Sequence, residues 1–177
     1  MKRRLAHRTR RADVRAMQET LDSIRAQVMR HVDSSYYETP VPRVIMSKMT
    51  EPTSGMVTIY EPVTCLILQG TKQVAIGDAV IDYDASSYFV ASLDLPAVGR
   101  VVEASLDKPY VAAALRIDRV VLADLIASMD AGAIGNEASA SEQAGFAVAA
   151  VTPELLEAWG GLLALLDRPD DISMLAP

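Results

Sequence analysis

Histidine is nearly missing from this chain. Of 177 residues only His7 and His31 are histidines, and both precede the strand-forming part of the sequence. Barrel proteins that use a metal place imidazoles and a carboxylate on their strands. That supply is absent, so no metal and no cofactor are expected. A serine or cysteine nucleophile would likewise lack a histidine base on the barrel, and no catalytic residue is assigned. The one cysteine, Cys65, cannot form an internal disulfide. Its place in the run TCLIL fits a reduced, buried thiol and a cytoplasmic location. No apolar run is long enough to span a bilayer, so no membrane partner is expected. The N-terminus lacks the apolar centre of a secretory signal. There is no Rossmann or P-loop glycine pattern and no internal repeat.

Half of the residues are hydrophobic and the net charge is −6, which fits a globular chain rather than a disordered one. The charge is unevenly spread. Residues 1–30 hold nine Lys and Arg against three Asp and Glu, leaving eight against twenty for the remainder. An acidic body is a poor surface for phosphates. The arm MKRRLAHRTRR reads as a solvated, partly disordered tail.

The spacing of Val14, Met17, Leu21, Ile24 and Val28 predicts an amphipathic helix over Ala12–Val32, whose seam suits the barrel of its own chain by default or a second subunit. Pro40, Pro42, Pro52 and Pro62 then argue against helix. Short strands are expected at Val44–Thr50, Met56–Tyr60, Thr64–Gln69, Lys72–Ile76, Ala79–Tyr83, Tyr88–Ala91, Ala97–Glu103 and Tyr110–Ile117. The Gly77-Asp78 turn sets Ile76 opposite Ala79, Val74 opposite Ile81 and Lys72 opposite Tyr83. One face then carries Val74, Ile76, Ala79, Ile81 and Tyr83, and the other Gln73, Ala75, Val80 and Asp82. Gln69-Gly70 marks the preceding turn. Strands this short and regularly spaced indicate a jelly-roll barrel of the cupin kind.

A helix is expected from Asp118 to Met129, a loop over Asp130–Gly145 and a returning strand over Phe146–Val151. Thr152 caps a last helix, with Pro153 at its first position and Glu154 in its first turn. That helix runs to Leu166, with Gly160-Gly161 allowing close approach of a neighbour and Arg168-Pro169 ending it. The fold class is therefore mainly β with helices (α+β). It divides into an N-terminal arm and helix (1–34), a cupin-like barrel (35–117) and a C-terminal helical segment with one returning strand (118–177).

Candidate ligand-binding residues are Tyr60, Glu61, Tyr83, Tyr88, Tyr110 and Arg116. The tyrosines offer rings and hydroxyls to a cavity. In Tyr110–Ile117, Ala112 and Ala114 leave room beside Tyr110 and Arg116, whose fork suits an anion. The competing reading pairs Arg116 with a surface carboxylate. Leu155, Trp159, Leu162 and Leu166 form the apolar face of the last helix and are candidate dimer-interface residues.

The Leu-Gln-Gly and Gly-Asp turns, the Tyr83-Asp84 step, Ser92-Leu93-Asp94-Leu95-Pro96, and Glu103-Ala104-Ser105 followed by Pro109-Tyr110 occur together. With Tyr60-Glu61-Pro62 and Leu166-Asp167-Arg168-Pro169-Asp170-Asp171-Ile172, they resemble the N-terminal domain of AraC-type transcription regulators over residues 39 to 177. Ser86 stands where that family often has glycine. The resemblance implies a cupin-like barrel followed by helices, a small-molecule effector, and a homodimer. DNA would be contacted only through a C-terminal helix-turn-helix domain absent from this sequence, which reads as a truncated chain or a regulatory fragment. Two alternatives stay open. One is a metal-free cupin enzyme using Glu61, Glu103 and Tyr83. The other is a purely structural dimerisation module.

Overall fold

The computed structural model describes residues 2–128 and 145–175, and within these the side chains of 2–13, 125, 126 and 175 are not described. All but one residue of the expected loop Asp130–Gly145 therefore lies outside the described residues. The chain opens with helix α1 (Lys2–His31), whose helical backbone continues through the basic arm expected to be a disordered tail. Strands β1 (Tyr37–Glu38), β2 (Val44–Met49), β3 (Met56–Tyr60), β4 (Val63–Gln69), β5 (Thr71–Ile76), β6 (Ala79–Asp84), β7 (Ser87–Ala91), β8 (Leu95–Glu103) and β9 (Tyr110–Arg116) follow. Then come α2 (Arg119–Ser128), β10 (Phe146–Ala150), α3 (Pro153–Leu163), a 3-10 turn (Ala164–Asp167) and α4 (Pro169–Leu175).

Two antiparallel sheets face each other. One has the order β1-β2-β9-β4-β7-β10, the other β3-β8-β5-β6. This is the expected jelly-roll architecture with helices at both ends. The β5–β6 hairpin has the predicted register, with Ile76 opposite Ala79, Val74 opposite Ile81 and Lys72 opposite Tyr83. Side chains alternate across strands, so the large sheet feeds two separate cores. Along β9, Val111, Ala113 and Leu115 join the outer core beneath the helices, while Tyr110, Ala112 and Ala114 line the interior between the sheets.

The outer core is the docking platform for α1 and α3. Leu21, Ile24 and Val28 of α1 meet Leu156, Trp159 and Leu163 of α3 over Val44, Met46, Leu66, Leu68 and Val111. Burying each such aliphatic side chain stabilises by roughly 1.5–3 kcal/mol, which explains why α1 is held in its own chain. Val14, at the far end of the seam, is exposed. Gln27 donates to the Leu163 carbonyl at 2.9 Å, and Arg30 and His31 reach the Asp167 carboxylate at 2.9 and 2.8 Å. Thr152 caps α3, its hydroxyl accepting from the Leu155 N–H at 3.2 Å.

Several details differ from expectation for identifiable reasons. The last helix tightens into a 3-10 turn after Leu163 instead of running on to Leu166. Pro169 ends it, but also opens α4, since a proline fits a first helical position. Gly160 does not serve a close approach: a Cβ there would meet Ile24 at an ordinary 3.8 Å, and one at Gly161 would meet nothing. Ser86 needs no positive φ. Its N–H and hydroxyl both donate to the Asp84 carboxylate, at 2.8 and 2.6 Å, so a side chain closes the turn.

Candidate functional site: a cavity between the two sheets

The corner at Gly70 directs the site. Here the chain leaves the large sheet and enters the small one. Gly70 has φ +84°, and a Cβ would lie 2.5 Å from the Glu103 carbonyl oxygen, so only glycine fits. The ladder is irregular on both sides of it, between Ile67 and Gln69 against β9 and between Thr71 and Lys72 against β8. Such bulges bend a strand and re-aim the next side chain. The side chain re-aimed is Lys72, which shares the inward face with Val74 and Tyr83.

Phe89 is the centre of the interior. Its ring lies 5.8 Å from Tyr60, 5.7 Å from Tyr83 and 6.4 Å from Phe146, centroid to centroid. Both phenylalanines of the chain are spent here. The Lys72 ammonium sits over the Tyr60 ring, 5.3 Å from its centroid. Gly99 of β8 makes this possible, because a Cβ there would lie 2.7 Å from the Tyr60 hydroxyl and 3.5 Å from the Lys72 Cε.

Burial pushes the phenols of Tyr83 and Tyr110 above their ordinary range. Burial opposes the charge on Lys72, but the surrounding Tyr110, Cys65 and Tyr60 outweigh it and hold the lysine above its ordinary value.

The interior is open at one end. A cavity of about 670 Å³ lies between the end of β2 and the inward face of β3, and it reaches Tyr60, Lys72, Gly99 and Val101. Lys48, Arg100, Asp33 and Glu51 also border it. A smaller hollow, about 320 Å³, lies between α1 and the Gly70 corner and touches neither Tyr60 nor Lys72.

The candidate residues are distributed as follows. Tyr60 borders the cavity, and Tyr83 and Tyr110 are buried in the inner core behind it. Tyr88 points the other way and packs against the outer core. Glu61 is exposed in the β3–β4 connection. Arg116 is bound at the surface, donating to the Tyr36 hydroxyl at 2.6 Å and pairing with Glu38 at 3.1 Å. Hydrogen bonds from Tyr36 and Arg116 lower the Glu38 carboxyl below its usual range. Leu155, Trp159, Leu162 and Leu166 all belong to the outer core, with Trp159 buried. Lys72 and Gly99 were not singled out from sequence. The available signal was the hairpin register itself, which sets a lysine opposite an inward tyrosine.

A two-sheet barrel with one open end and helices docked on its outer face is a jelly-roll domain. Residues 40–177 match the family described as AraC-type transcriptional regulator N-terminus, and the chain belongs to that family. Among solved structures, apo ToxT from Vibrio cholerae, as a single-residue variant, is 8% identical with a TM-score of 0.51. That match covers 72% of this chain and 49% of ToxT. Wild-type ToxT with unsaturated fatty acid bound is 11% identical with a TM-score of 0.48, covering 72% of this chain and 47% of that one. The chain thus spans about half the length of these structures, and at such identities the likeness is one of fold. No curated protein matches the chain.

Proposed function

We propose that this chain is the effector-sensing part of an AraC-type transcription regulator and takes up a small molecule between β2 and β3. The observation that carries this reading is the 670 Å³ cavity that runs from the surface to the aromatic interior. Pockets of that size suit ligands of modest molecular weight. Binding changes a regulator only through differential affinity for two arrangements. Here the cavity is lined by the small sheet and the end of β2, and the helices pack on the outer face of the large sheet, so a ligand that prefers one spacing of the sheets biases the helix platform.

Sensing is favoured over catalysis because the acid/base candidates are not assembled. Glu61 is exposed, Glu103 accepts from the Thr71 hydroxyl at 2.8 Å at the surface, and Tyr83 is buried with a raised pKa. Among the described residues no helix is long and apolar enough to cross a membrane, and a cytoplasmic regulator is the reading adopted. DNA contact is assigned to another part of the full regulator. A homodimer through Trp159 and its neighbours would require α1 to leave α3, whereas a dimer through another surface would not.

The test is methyl NMR on methionine-labelled protein with a panel of small organic molecules. Compounds that use the cavity shift Met49 and Met56. If no compound in the panel shifts Met49 or Met56, the reading fails.

A further inference from the structure

Lys72 is the feature that the sensing role alone does not explain. It lies on the inward face of β5, beside a bulge, over the ring of Tyr60. Lys72 is half-buried, and an ammonium drawn partly out of water is costly unless an anion or several acceptors compensate it. Among the described residues the ion pairs join other side chains, and no carboxylate is paired with Lys72. Its neighbours are the phenols of Tyr110 and Tyr60 and the Cys65 thiol. It also borders the cavity.

The glycine opposite strengthens the point. A Cβ at position 99 would press on the Tyr60 hydroxyl and touch the Lys72 stem. The backbone is bare where the cation and the ring need space. Met49, Met56 and Val101 give this cavity an apolar strip beside Tyr60, with serines and threonines elsewhere along its border. Acidic groups border the cavity only at exposed positions, Asp33 and Glu51. Lys48 and Arg100 match them in number, which leaves Lys72 as the one cation in excess and favours a single negative charge.

Resting on the reading of this cavity as the effector site, we infer that its ligand is an organic monoanion, a carboxylate on a flat apolar body, with Lys72 as the anchor and Tyr60 as the platform. The carboxylate takes the open side of the ammonium, and the apolar body lies along Met49, Met56 and Val101.

The experiment compares naphthoate with its uncharged amide, naphthamide, on the 177-residue protein. Methionine methyl and lysine ε-carbon resonances are followed together. Naphthoate is expected to bind about ten- to a hundred-fold more tightly than the amide, the usual worth of a hydrogen bond to a charged group. It should move the Lys72 ε-carbon signal together with Met49 and Met56. Lys72→Met should bring the two probes to equal affinity, and Lys72→Arg should restore part of the preference. A charged naphthalene trisulfonate should bind more weakly than naphthoate. Equal affinities in the wild type, with Met49 and Met56 moving for both, would overturn the anchor and leave the effector cavity standing. No response from Met49 or Met56 to either probe, or to the wider panel, would overturn both. The wild-type comparison decides even if Lys72→Met does not fold.

Discussion

The two faces of the large sheet support different kinds of core. Outside, α1 and α3 close over valines, leucines, isoleucine, one methionine and Trp159, with no polar side chain buried among them. Inside, the space holds both phenylalanines, Tyr60, Tyr83 and Tyr110, the Cys65 thiol and an ammonium, and it is open at one end. A core that only stabilises is best filled with aliphatic side chains at close packing. One that receives a guest needs rings, hydroxyls and charge, and gives up packing to keep a gap.

That contrast can be broken by mutation. The largest effect is expected outside: Trp159→Ala or Leu156→Ala should cost about 3–5 kcal/mol in urea unfolding, as buried truncations do. If Phe89→Leu, which keeps most of the volume, costs as much, the two cores are energetically alike and the contrast is wrong. Gly70→Ala should cost about 3 kcal/mol, since it adds a left-handed strain to a backbone collision at the corner joining the sheets. Gly99→Ala should cost about 1–2 kcal/mol, because Tyr60 can swing away. It should weaken naphthoate binding several-fold, which separates the open core from the closed one.

Smaller effects sharpen the picture of the helix platform. Gly161→Ala should raise stability by about 0.5–1 kcal/mol, because its site is an open helical surface. The Asp167 carboxyl, hydrogen-bonded by His31 and facing Arg30, has a pKa lowered below the usual range. A depressed carboxyl contributes stability at pH above its unfolded value, and that contribution is lost as pH falls through the folded one. Urea midpoints of wild type and Asp167→Asn should therefore differ near neutral pH and converge below about pH 4. Midpoints that stay parallel to the lowest pH would show that Asp167 does not secure α1.

Much of the fold is legible in the residues. The β5–β6 register follows from Gly77-Asp78 and the alternation around it, and the two faces of β9 can be read directly as large against small. The Thr152-Pro153 start of α3 is equally plain. The rest depends on contacts between distant segments. Nothing local states that α1 will lie across α3, because an apolar seam suits a second subunit as well as its own chain. The anion fork expected at Arg116 is taken by Tyr36 and Glu38, which the sequence places far upstream. Tyr88 alternates correctly but on the helix side, since the parity of β7 relative to the interior is fixed by its partners β4 and β10. Lys72 resembles an ordinary hairpin lysine until the bulge and Gly99 reveal what surrounds it.

Strand β10 starts at Phe146, stacked in the aromatic interior, and runs directly into Val151, which sits beneath the helices. So short a tie cannot slacken in one compartment while staying taut in the other. Melting confined to either side is thereby suppressed, and amide exchange in β7, β9 and α3 should report one shared global opening.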